Sequence, residues 1–201
     1  MEIWPELCSK FKPFYDNQSQ FVLLNSSTSI ANAISNPFTI YYVYDGNWCS
    51  YAYRELWNKD NTSTSLNNNT IKKTIYSPSP SDYVEPQVNS FTGFTNDGNR
   101  QTNSNNWNYS SIVGNDFIFF CNLGKTGGTI KFWALGMRDA SSGRPGNGGK
   151  VALLNSGNYW TIGVSNDANG YNLYFNRNDS ELRPITTWQK SEALSIRAVK
   201  L

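Results

Sequence analysis

Four carboxylates, Asp139, Asp167, Asp179 and Glu181, are the side chains best suited to paired acid/base work on a glycosidic bond, which needs two such groups about 5–10 Å apart in one cleft. All four fall in segments that read as turns, and turn formation accounts for them without catalysis. The chain of 201 residues holds no histidine, so the usual proton shuttle and the commonest metal ligand are both missing. Cys8, Cys49 and Cys121 therefore lack a base that would make any of them a nucleophile. Their contexts are unrelated and none has CxxC spacing, which reads as reduced, buried thiols and leaves one disulfide open. Gly124-Lys125-Thr126 has the ending of a phosphate-binding loop, but Phe119 stands where that loop requires its first glycine. A hairpin turn explains those glycines.

Binding chemistry is better represented. In the last third, Gly136-Met137-Arg138, Asn158-Tyr159-Trp160, the run 171–175 and the run 195–199 are separated by short polar stretches. That spacing reads as strands holding loops that are free to vary. Asparagine supplies a donor and an acceptor together, while Trp and Tyr add rigid apolar area at small entropic cost. The candidate contact residues are Asp139, Ser141 and Ser142, then Asn158 and Trp160, then Ser165, Asn166, Asp167 and Asn169 in a hairpin loop, with Tyr171, Asn172, Tyr174 and Trp188 beside it. Turn formation for the polar residues and core packing for the aromatic ones are the competing uses. Arg138 and Arg197 read as partly buried donors that tie loop carbonyls.

The elements that must position these residues are mostly strands. Hydrophobic residues make up 38% of the chain and aromatics 15%, so burial rests on Trp, Tyr and Phe, as in β-rich folds. Residues 1–24 read as an irregular N-terminal segment suited to attachment, and 25–201 as one domain. Within the domain, 26–36 and 51–57 read as short helices and 38–44 as a strand. The stretch 60–70 reads as a polar loop, 71–95 as tightly packed coil, and 96–108, with its asparagines, as an exposed tract. Two hairpins follow, 117–135 and 159–175, and Leu194 to Val199 closes the sheet.

A net charge of +2, with scattered basic residues, leaves no phosphate-tracking footprint for nucleic acid. No apolar run approaches the roughly 20 residues of a membrane span, and residues 1–20 contain no secretory apolar region. No membrane insertion is expected.

The runs 76–86, 90–95 and 125–132, followed by Gly136-Met137-Arg138 and Asn158-Tyr159-Trp160, come in the order seen in C-type-lectin-like domains of Bacteroidetes surface proteins and their phages. Asn36-Pro37-Phe38-Thr39 and Asn47-Trp48-Cys49 extend the resemblance, which covers roughly 30–201. Some such domains are variable proteins of diversity-generating retroelements. Thr161-Ile162 after Trp160, and Ala193-Leu194-Ser195-Ile196-Arg197 near the end, depart from the family pattern while keeping size and polarity. Glu85-Pro86-Gln87 looks like the calcium-dependent sugar loop of animal lectins, but it comes too early and lacks the Trp-Asn-Asp partner strand; no metal or other cofactor is expected.

The resemblance implies an α+β, β-rich, C-type-lectin-like fold with two short helices, twisted antiparallel hairpins and long polar loops. It further implies a non-enzymatic receptor-binding or adhesion module, a phage tail or fibre protein of the virion whose partner is a bacterial surface glycan or protein. A structural or decorating virion protein is one alternative, with other virion proteins or further copies of itself as partners. A pilus-tip or cell-surface adhesin is another.

Overall fold

The computed structural model describes residues 21–23, 35, 40–42, 57–59, 70–75, 77–137, 155–166, 168–190, 192 and 194–200. In chain order the described strands are β1 (Phe21–Leu23), β2 (Ile40–Tyr42), β3 (Tyr83–Val84), β4 (Tyr109–Val113), β5 (Asp116–Asn122), β6 (Thr126–Trp133), β7 (Ser156–Val164), β8 (Asn169–Asn176), β9 (Glu181–Gln189), β10 (Ser195–Ile196) and β11 (Val199–Lys200). Short 3-10 segments run over Val88–Phe94 and Ser104–Asn106.

Phe117 and Phe119 alternate with half-exposed neighbours along β5, and this two-residue period gives the strand one buried face. It pairs antiparallel with β4 and β6 in a three-stranded sheet. The β5–β6 turn places Gly124 at φ 73° and Lys125 at φ 58°, the left-handed region where glycine has no steric cost. The second sheet has the order β10-β7-β8-β9, antiparallel except that β10 joins β7 in parallel. Pro184 lies in β9, where its missing N–H is tolerated because β9 is at the edge.

An aromatic core joins the two sheets. Phe117, Phe119 and Phe132 from the first meet Tyr159, Leu173, Phe175 and Leu182 from the second, with Phe91, Phe94 and Trp107 filling one side. Phe94 stacks on Phe119 at 4.3 Å between ring centres, Phe117 lies 4.5 Å from Phe175, and Phe132 meets Tyr159 edge-on at 4.8 Å. Offset and edge-to-face pairs of this kind each add about 0.5–1.5 kcal/mol beyond burial.

The expected packed coil over 71–95 is held by two sets of side-chain hydrogen bonds. The Lys73 ammonium donates to the carbonyls of Ser79, Pro80 and Tyr83, and the fully buried Glu85 carboxylate accepts the hydroxyls of Ser77 and Ser79, each at 2.9 Å. The molecule is thus β-rich, with both expected hairpins present.

Several expectations are corrected. The tract 96–108 is not exposed throughout, because Trp107 and Asn108 are buried. Asn108 donates to the carbonyls of Gly93 at 2.8 Å and Asn122 at 2.5 Å, and accepts the Lys125 N–H at 2.7 Å. Glu181 is the first residue of β9 rather than part of a turn, whereas Asp179 does sit in one. Arg197 is exposed, although it donates to the Lys131 carbonyl at 3.3 Å. Cys121 is free and exposed at the end of β5 rather than buried. Leu194 to Val199 is split: Ser195–Ile196 joins β7, while Val199 pairs with Val84. Of the expected helix over 26–36 only Ser35 is described, and it is helical; the expected helix over 51–57 and loop over 60–70 lie almost wholly outside the described residues.

Candidate functional site

Side chains alternate across a strand, so the residues between those of the core belong to the opposite face. On β7 and β8 Tyr159, Leu173 and Phe175 enter the core. Asn158, Trp160, Asn172, Tyr174 and Asn176 therefore share the other face, and the register sets Asn158 beside Tyr174 and Trp160 beside Asn172. Contacts agree with this assignment. A side-chain carbon at Gly170 would stand 3.0 Å from the Trp160 ring, and Trp188 of β9 meets Tyr174 edge-on at 6.3 Å. On β9, Arg183 pairs with Tyr174 in register and lies 5.6 Å over its ring, while Glu181 pairs with Asn176.

This face brings five of the sequence-derived candidates together: Asn158, Trp160, Asn172, Tyr174 and Trp188. They are not freely exposed. Asn158 and Asn172 are fully buried, Tyr174 and Trp160 are 6% and 7% exposed, and Trp188 is half-buried. Polar atoms buried this way are ordinarily hydrogen-bonded. Yet among the described residues both side-chain atoms of Asn158 lack a partner, as do Asn172 Oδ1 and Trp188 Nε1. Leaving a buried polar group unpaired costs about 1–3 kcal/mol.

The other candidates are placed elsewhere. Asn166 Oδ1 accepts the N–H groups of Ala168 and Asn169, both at 2.8 Å, so this side chain forms the β7–β8 turn. Ser165 donates its N–H to the Asn169 carbonyl across the same turn. Tyr171 falls on the opposite face from Asn172 and packs toward Gly163. Asp139, Ser141, Ser142 and Asp167, like Arg138, lie outside the described residues.

No protein-family model, curated protein or solved structure matches this chain. The site is therefore read from its own chemistry.

Three charged groups at the β8–β9 end had not been singled out as binding residues. Glu181 Oε1 accepts Arg100 Nε at 2.5 Å and Arg183 Nε at 2.9 Å. Burial alone would raise the Glu181 carboxyl; hydrogen bonds from Arg183 and Arg100 outweigh it and hold it below its ordinary value. Burial pushes the Tyr174 phenol up, while the Asn176 amide donates to its oxygen at 3.0 Å. Arg183 was detectable in principle, two residues from Glu181 on an alternating strand. Arg100 was not, since 81 positions separate it from Glu181.

Among the described residues no three Cys, Asp or Glu side chains are grouped to hold a metal ion. Asp179 is engaged by Asn176 at 2.9 Å and Glu181 by the arginines. What the arrangement offers is amide donors and acceptors beside aromatic rings, with guanidinium groups at one end.

Proposed function

We propose that the chain is a non-enzymatic receptor-binding module with a C-type-lectin-like fold, carried on a phage tail or fibre, which recognises a bacterial surface glycan or protein through the outer face of β7, β8 and β9. The observation that carries this reading is Asn158, a fully buried amide with neither end paired among the described residues, set between Trp160 and Tyr174. A core would favour an apolar residue of the same size there, because the unpaired amide opposes folding. A recognition face retains such a group for the hydrogen bonds a ligand makes with it once what covers the amide is displaced. The test is binding of the labelled chain to whole cells of several Bacteroidetes strains, with capsular polysaccharide present or deleted. Strain-selective, saturable binding is expected; absence of binding to every strain would contradict the reading.

A second reading, a decorating virion protein that uses the fold for assembly, draws on the outer side of the β4–β5–β6 sheet. There Val113 and Trp133 flank Asp116 in register and are 61% and 39% exposed, an apolar surface suited to contact with another protein. Stable oligomers without cell binding would favour it.

A further inference from the structure

We infer that Arg100, Glu181 and Arg183 form an oxyanion subsite at the β8–β9 end of this face, so that the glycan it binds carries a carboxylate or phosphate group. The inference rests on the receptor-binding reading and adds the ligand's charge to it. Glu181 Oε1 takes the Nε edge of both arginines and Arg183 Nη2 at 2.9 Å. Two guanidinium groups are thereby fixed by one carboxylate oxygen, which lies on a side chain only 11% exposed. Among the described residues, both terminal nitrogens of Arg100 and Nη1 of Arg183 have no partner. These groups are reachable: the Arg100 and Arg183 side chains are 59% and 33% exposed, in contrast to the buried amides further along the face.

A guanidinium held at Nε presents its remaining N–H groups in a planar fork that matches the two oxygens of a carboxylate or phosphate. The other acids nearby already have donors. Asp97 accepts the Asn99 N–H at 2.9 Å and Gln101 Nε2 at 2.8 Å, and Asp179 accepts Asn176 Nδ2. Arg177 adds a further exposed cation on the β8–β9 turn. The Arg100 loop is anchored here by a reciprocal backbone pair, Gln101 with Leu182, at 2.8 Å in both directions, so the second arginine is delivered by the fold rather than by a free side chain.

The test uses the full chain and surface polysaccharide purified from a strain that it binds, in native, carboxyl-reduced and dephosphorylated forms. Binding should fall about tenfold or more on one chemical treatment, and that treatment names the oxyanion. Arg183→Lys, which keeps the charge and loses the fork, and Arg100→Gln should each weaken binding to the native form by about tenfold and leave binding to the treated form unchanged. Arg100 is more than half exposed, so its substitution carries the test even if Arg183→Lys lowers the melting temperature. Equal binding of all three forms, or native binding unchanged in both variants, would overturn the subsite while leaving the receptor-binding reading in place. A chain that binds no strain would overturn both.

Discussion

The Tyr159 hydroxyl donates to the Trp133 carbonyl at 2.8 Å and accepts the Trp133 N–H at 3.0 Å. One side chain of β7 thus satisfies both backbone groups of a residue at the end of β6, where that edge has no neighbouring strand among the described residues. The two sheets are tied at this point by hydrogen bonds as well as by the aromatic core. Tyr159→Phe keeps the ring against Phe132 and removes both bonds, and should lower stability by about 1–3 kcal/mol in urea denaturation.

The same phenol predicts a pH dependence. Burial pushes Tyr159 up to about 12 from an ordinary 10, partly offset by its hydrogen bond with Trp133 and by Arg197. In the unfolded chain it ionises near 10, whereas the folded chain keeps the proton. Its contribution is therefore fully present below pH 10 and is lost as pH rises toward 12. The loss amounts to about 2–3 kcal/mol. Denaturation midpoints across that window should fall more steeply for the wild type than for Tyr159→Phe.

Gly157 has a packing reason to be glycine. A side-chain carbon there would stand 2.1 Å from the Phe175 ring, inside the core and between two strands. Gly157→Ala should cost about 1–3 kcal/mol through overpacking, measured as a lowered denaturation midpoint. Gly163→Ala meets Val88 at the same distance and should behave alike.

Asn108 ties the second polar tract to the β5–β6 hairpin through three hydrogen bonds. Asn108→Ala would leave two carbonyls and one N–H without this partner, and should destabilise by at least about 2 kcal/mol. Asn108→Asp, similar in size but without donors, should destabilise too. Rescue by Asp would show that volume, not hydrogen bonding, is what matters at this position.

The two hairpins were legible because runs of β-branched and aromatic residues flank short segments that contain glycine, 124–128 in the first and 165–170 in the second. β9 was not, since Pro184 interrupts the strand pattern, and its place at a sheet edge is what makes the proline acceptable. β4, with Ser110 and Ser111, was hidden likewise. The candidate face was legible for Asn158, Trp160, Asn172, Tyr174 and Trp188, which a two-residue period gathers on one side. Their burial was not legible, because a strand pattern tells which residues share a face and not what covers that face. The arginine pair escaped because its common partner, Glu181, is brought to Arg100 by tertiary folding alone.

The central claim, that Asn158 is retained for a ligand rather than for the fold, is tested most directly by Asn158→Leu, read for stability and cell binding together. Removing an unpaired buried amide should leave the chain as stable or more stable, by up to about 1–3 kcal/mol, while abolishing saturable binding to a strain that the wild type recognises. A destabilised variant that still binds cells as the wild type does would contradict the account, since Asn158 would then serve the fold and not the receptor.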